Sequence, residues 1–260
     1  MPWRFFTRLL LLLALQLAVC GAAAGAEPGK YQRITSRHLG YDLQYRVYVP
    51  EGVVAGDELA SLYVTDGQWY LEPGGFRQIL DETIESAMVT PIVVVFLDSI
   101  NPDDPADNRR NREFMCNQKY AAFFADELIP AINTGYPVKP SREQRVILGV
   151  SFGGLNAACF GVMSPDLFAG IAMQSPARGA HVDVVRELYE KSPKLPLKMF
   201  LSVGTKNDNL AAANRFRKTL LDKDYDLTYR KVREGHDWNN WRPLLDDVLL
   251  TFFAKPAGGQ

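Results

Sequence analysis

Histidine and cysteine are scarce in this chain, three of each in 260 residues. The histidines are scattered and no Cys-x-x-Cys pair occurs, so the spacing that a thiolate or imidazole metal centre needs is missing, and neither a metal nor an organic cofactor is expected. Charge of one sign is also lacking: 29 basic against 30 acidic residues give a formal net charge of −1, which excludes the global electrostatic signature of a nucleic-acid binder. Between residues 30 and 253 there is no internal repeat, no low-complexity block and no long linker, which argues against a solenoid or a string of modules. Long hydrophobic runs are absent too, apart from one.

That run, Leu9 to Val19, follows Arg4 and Arg8 and precedes Ala24-Gly25-Ala26. A basic start, a short apolar stretch and a small-residue cleavage site make a secretory signal peptide over residues 1–26, too short for a stable membrane span after cleavage. The expected destination is the periplasm or the outside of the cell. Lipidation at Cys20 is the weaker reading, because Val19 is larger than the small residue that precedes a lipidated cysteine. Residues 27–260 then form one domain, of a length that suits a single core. With Cys20 gone, Cys116 and Cys159 remain: one disulfide at most, and not a framework. Their pairing stays open, since Cys159 also reads as a buried apolar thiol.

What is present is an alternation of strands and helices. YQRITSRHL and LQYRVYVP, joined by a turn near Gly40, form an antiparallel N-terminal hairpin. ASLYVTD, PIVVVFLD, RVILGV, FAGIAMQS and LKMFLSVGT follow as strands, with DLTYRKVRE a more polar one. FRQILDETIESAM, YAAFFADELIPAIN, residues 154–163, AAANRFRKTLLDK and WRPLLDDVLLTFF carry helical spacing between them. This pattern implies an α/β fold with a mostly parallel central sheet and helices on both faces. Continuous apolar runs such as IVVVFL suit strands buried on both sides. Ligands of such sheets bind beyond the carboxyl ends of the strands, so chemistry is sought there.

At one such end stands GVSFGG, with Ser151 between a strand and a helix. Glycines at 149, 153 and 154 allow the sharp turn that lifts a serine side chain clear of the sheet, beside the positive end of the following helix. A serine hydroxyl needs a base to become a nucleophile. His38 lies before the central strands and His181 in SPARGAHVD, where it could line a pocket. Only His236, in EGHDWNNW after the last strand, satisfies the chain order nucleophile, acid, base. Asp208, in the loop after LKMFLSVGT, is the acid expected to orient it. Asp222, Asp224 and Asp226 flank a later turn and read as solvated. Oxyanion donors are expected from the backbone N–H groups of Phe152 and of Gln68, in the loop after ASLYVTD.

LYVTDGQW, RNREF with ELIPAI, RVILGVSFGGLNA, GTKND and EGHDWNNW, in this order, resemble the esterase branch of the α/β-hydrolases, which includes enterochelin esterase-like proteins, feruloyl esterases, S-formylglutathione hydrolases and mycolyltransferases. The resemblance covers about residues 40 to 253. It implies the α/β-hydrolase fold, with Ser151, His236 and Asp208 as nucleophile, base and acid and Gln68 as an oxyanion-hole contributor. In the acid loop this chain has Lys206 and Asn207 between GT and Asp208.

The function expected is an exported serine esterase working through an acyl-enzyme on a small-molecule ester, such as a siderophore or an aryl or acyl ester. Alternatives are an acyltransferase using the same three residues and a non-catalytic binding protein on the same fold. Arg109, Arg110 and Arg112 could attract an anionic substrate, or be balanced by the acids of NPDDPAD and Glu113. Trp69, Tyr70 and Trp241 are candidates for an apolar pocket, with core packing the competing reading.

Overall fold

The computed structural model describes residues 29–54 and 56–256; the leader expected over residues 1–26, with Cys20, lies outside them. In chain order the elements are β1 (Gln32–Ser36), β2 (Tyr41–Tyr48), β3 (Ala60–Thr65), α1 (Gly67–Leu71), α2 (Phe76–Glu85), β4 (Ile92–Leu97), β5 (Ile100–Asn101), β6 (Asp104–Asn108), α3 (Arg110–Glu113), α4 (Gln118–Phe123), α5 (Ile129–Gly135), β7 (Arg145–Val150), α6 (Phe152–Met163), β8 (Gly170–Gln174), α7 (Gly179–Lys191), β9 (Lys198–Gly204), α8 (Leu210–Asp222), β10 (Asp226–Val232), α9 (Trp238–Trp241) and α10 (Leu245–Phe253). A π-helical turn, Phe124–Leu128, joins α4 to α5, so YAAFFADELIPAIN is one interrupted helical stretch.

Eight strands form one sheet in the order β1-β2-β4-β3-β7-β8-β9-β10. The β1–β2 and β2–β4 pairs are antiparallel and the rest are parallel. This is the expected α/β architecture, with the N-terminal hairpin at one edge. Side chains of the central strands alternate between two cores. Val93, Val95, Ile147, Ile171 and Met199 pack with α4 to α8 on one face. Ile92, Val94, Val146, Leu148 and Phe200 pack with α1, α2, α9 and α10 on the other. Every residue of IVVVFL and RVILGV is buried, as two covered faces require. β10 is only partly buried and carries Arg230 and Lys231, which suits an edge strand. Among the described residues no helix is long and apolar enough to cross a membrane.

Helices α1, α3, α7 and α9 and the small β5–β6 hairpin are additions to the sequence reading. The stretch SPARGAHVD, where His181 could line a pocket, runs into α7 at Gly179, and Val182, Val185 and Tyr189 of that helix are buried. Helix α6 has almost no polar face; residues from Gly153 to Gly161 are all buried, as for a helix enclosed on every side.

Cys116 and Cys159 form a disulfide, with Cα atoms 5.1 Å apart and a sequence separation of 43. It fastens the segment after α3 to the middle of α6. Closing a loop of that size stabilises the fold by about 4 kcal/mol in the chain-entropy account. Replacing both cysteines by alanine is therefore expected to lower the unfolding midpoint by roughly 5–15 °C. Calorimetry of the double variant checks this, and an unchanged midpoint would refute it.

Candidate active site

Six loops at the carboxyl ends of the parallel strands converge on one place, and each contributes a side chain or a backbone group. Ser151 stands between β7 and α6 at φ 58° and ψ −119°, a conformation that costs a residue with a Cβ about 1–3 kcal/mol. The turn is possible because strand and helix nearly touch: a Cβ on Gly149 would lie 2.1 Å from the Gly153 backbone. A Cβ on Gly154 would come within 3.0 Å of the Gln174 carbonyl. The Ser151 N–H donates to Gln174 O, and its carbonyl accepts from Leu155 and Ala177 N–H. With its backbone satisfied, the strained residue is held with its side chain outward.

Ser151 Oγ lies 2.8 Å from His236 Nε2, and His236 Nδ1 lies 2.8 Å from Asp208 Oδ1. His236 comes from the loop after β10, where Gly204 permits close passage; a Cβ there would meet the Glu234 carbonyl at 2.2 Å. Asp208 follows Asn207, which takes up φ 52° in the tight turn after β9. The Asp208 side chain has no exposed surface, and the His236 ring is partly open. Burial pushes the Asp208 carboxyl up, but hydrogen bonds from His236, Ser175, Gly204 N–H and Asn209 N–H outweigh it and hold the group below its ordinary range. With Asp208 ionised, His236 carries its proton on Nδ1 and presents Nε2 as the acceptor for the serine hydroxyl.

The support behind Asp208 went unrecognised in the sequence. Ser175, at the end of β8, donates from Oγ to Asp208 Oδ2 at 2.6 Å. Ser175 Oγ in turn accepts from Trp241 Nε1 and Asn240 Nδ2. Trp241 is 8% exposed and its ring stands edge-on to His236. It is a buried support of the histidine and not a pocket wall, which corrects the sequence expectation. Tyr70 is corrected likewise: it is wholly buried, with its hydroxyl on Gln174 Oε1. Both rings are drawn into the core because the polar ends of Tyr70 and Trp241 find buried partners there.

On the opposite side, the loop after β3 carries Asp66, Gly67, Gln68 and Trp69. The Gln68 side chain is tied to Ser99, donating to Oγ at 3.1 Å and accepting from its N–H. Among the described backbone hydrogen bonds, Gln68 N–H has no backbone acceptor but is directed at the buried Asp98 carboxylate, and Phe152 N–H has none. The latter is also the first turn of the 12-residue helix α6, where the helix dipole is positive. The Asp66 side chain is fully buried and receives Ser99 Oγ at 2.6 Å. It also receives Arg110 Nε at 3.1 Å, so both of its oxygens are hydrogen-bonded, with the Asp98 carboxylate acting against its charge.

The arginine cluster divides. Arg109, 6% exposed, spans Asp107 and the Asp42 carbonyl, with its guanidinium over the Tyr41 ring. Arg112 pairs with Asp107 and also faces Tyr41. Both are balanced by an acid of NPDDPAD, the alternative that the sequence left open beside a substrate role. Arg110, between them, turns inward to Asp66 and lies 4.8 Å from the Trp69 ring centroid. Trp69 is half-buried. His38 pairs with Asp126 on the surface, and His181 sits on α7 with its ring 6.2 Å from that of Phe152. Among the described residues no group of three or more His, Cys, Asp or Glu side chains is placed to hold a metal ion.

A family model described as "Putative esterase" matches residues 36–252. The chain belongs to this esterase family. Relatives include an uncharacterized Bacillus subtilis protein, YjcH, 24% identical over 235 residues, covering 84% of this chain and 94% of that one. The iron(III) enterobactin esterase of Escherichia coli K12 is 24% identical over 208 residues, covering 76% of this chain and 51% of its own. The chain thus spans about half the length of the curated enterobactin esterases it matches. Among solved structures, the Shigella flexneri enterobactin esterase superposes with a TM-score of 0.76 at 23% identity, over 88% of this chain and 59% of that one. A ferulic acid esterase gives 0.70 at 19%, over 86% and 96%. These neighbours share the α/β-hydrolase fold of the esterase family.

Glu113, the last residue of α3, is 1% exposed and accepts from the Tyr41 hydroxyl at 3.0 Å. Burial raises its carboxyl to about 8, against the Tyr41 hydrogen bond and the charges of Arg109 and Arg112. A carboxyl raised on folding stabilises fully below its unfolded value and loses that contribution as pH rises through the folded one. Between pH 4.5 and about 8, wild-type stability should therefore fall relative to Glu113→Gln. Urea midpoints of the two proteins across that window measure it, and parallel curves would disprove it.

Proposed function

We propose that the protein is an exported serine esterase that hydrolyses a small carboxylic ester through an acyl-enzyme. The observation that carries this reading is the relay from Ser151 Oγ to His236 Nε2 and from His236 Nδ1 to Asp208 Oδ1, both hydrogen bonds 2.8 Å long, beside the Phe152 N–H, which has no backbone acceptor. Ser151 attacks the ester carbonyl carbon while His236 takes its proton. The carbonyl oxygen becomes an oxyanion and is received by the N–H groups of Phe152 and Gln68. His236 then protonates the leaving alkoxide as the carbon–oxygen bond breaks, which leaves Ser151 acylated. A water, deprotonated by the same histidine, attacks the acyl carbon and releases the acid, and Ser151 recovers its proton. Asp208 stays ionised throughout and stabilises the imidazolium that forms twice per turnover.

Export is supported by the sequence of the first 26 residues and by the Cys116–Cys159 disulfide, a bond that persists in oxidising compartments. The likeness to enterobactin and ferulic acid esterases favours an acyl group carrying an aromatic ring, as in a catecholate siderophore or a feruloyl ester. The half-buried Trp69 ring beside the oxyanion donors suits such a group.

A fluorophosphonate probe should label the wild type and fail to label Ser151→Ala, and His236→Ala should lose turnover of p-nitrophenyl esters by about 10⁴-fold or more. Equal labelling of Ser151→Ala would sink the assignment. Product analysis with added acceptor alcohols separates hydrolysis from acyl transfer, and parallel assays on catecholate and feruloyl esters rank the substrates.

A further inference from the structure

We infer that Arg110 is the positioning residue of the oxyanion site, joining its two halves and neutralising the carboxylate beneath them. This rests on the hydrolase reading above. The two N–H groups belong to segments remote in sequence: Gln68 follows β3 and Phe152 follows β7. Arg110 touches both segments from a third. Its Nε and Nη2 reach Asp66 Oδ2 at 3.1 and 2.8 Å, two residues before Gln68. Its Nη2 also donates to the Val150 carbonyl at 3.4 Å, and that carbonyl belongs to the peptide joining Val150 to Ser151. The guanidinium plane lies 4.8 Å from the Trp69 ring and 5.5 Å from the Phe152 ring, the side chains next to and on the two donor residues.

Two physical needs meet in this contact. The first is distance. An oxyanion accepts both hydrogen bonds only if the donors keep a fixed spacing, and a rigid, planar fork holds two loops better than a flexible ammonium does. The second is sign. Asp66 is fully buried at φ 63° immediately before the donor loop, and Ser99 donates to its other oxygen. An unopposed carboxylate there would raise the energy of the negative charge that develops on the substrate oxygen. The Arg110 charge cancels it, while Ser99 and the Gln68 side chain keep the loop from turning. Arg110 acts through these groups and contacts no reacting atom.

The consequence is confined to the transition state, because the ester carbonyl of the bound substrate carries little charge. Arg110→Ala should lower kcat by about 10- to 100-fold, less than outright loss of a donor can cost. KM should change by less than about 3-fold, and affinity for a boronic acid that forms a tetrahedral adduct with Ser151 should fall in step with kcat. Arg110→Lys keeps the charge without the fork and should recover part of the loss. Asp66→Asn in the Arg110→Ala background removes the carboxylate left without a counter-charge and should also recover part of it. If the alanine variant does not fold, Arg110→Lys carries the same kcat and boronate comparison. A kcat within about 2-fold of wild type, or a loss carried by KM with boronate affinity unchanged, overturns the role. Wild-type protein that neither labels with a fluorophosphonate nor turns over ester overturns the hydrolase reading itself and this role with it. Wild-type turnover with unaffected Arg110 variants overturns the role alone.

Discussion

The close approach of β7 to α6 is the constraint on which the site depends. Ser151 can occupy its left-handed conformation only while Gly149 and Gly153 lie against each other with no Cβ between them. The strain is local, and the core opposes it: β7 is buried along its whole length and α6 along nearly all of its own. Relaxing the serine would require moving two elements that are packed on every side, which is why a cost of about 1–3 kcal/mol persists.

Around that turn, polar groups are arranged in two supports of opposite purpose. Behind His236, the ring of donors from Ser175, Asn240, Gly204 and Asn209 keeps the Asp208 carboxylate ionised and pointed. Beside Ser151, the Asp66–Arg110–Ser99 group is nearly neutral as a whole and fixes the direction of backbone N–H groups. In the proposed reaction one support sustains a positive charge on imidazole, and the other leaves room for a negative charge on oxygen. Their separation across the serine is what gives the site a direction.

The sheet, its two covered faces and the strand ends that matter were legible because each has a local cause in the chain: apolar runs, helical spacing, glycines at a turn. Ser151, Asp208 and His236 could be picked out because chain order and strand ends restrict where such groups can sit. Which way a side chain turns was not legible. Tyr70 and Trp241 are aromatic residues beside the site, yet their polar tips are claimed by Gln174 and Ser175 from β8, a strand about 70 to 100 residues away in sequence. Arg109, Arg110 and Arg112 share one turn, so their order says nothing about which meets Asp66; that depends on how the turn is set beside the loop after β3. Ser175 and Asn240 were hidden for the same reason, since their partners arrive from other strands. Helix α7 escaped notice because its face toward α8 is narrow and charged residues surround it.

The disulfide bears on how this fold breathes. The stretch from Arg110 to Cys116 is one short helical turn and a bend, the kind of segment that opens by itself in the native state when nothing restrains it. Cys116 ties it to Cys159, in the middle of the most enclosed helix of the molecule. Its amides therefore belong to the same cooperative unit as α6, and the arginine that spans the oxyanion loops inherits the opening free energy of the core.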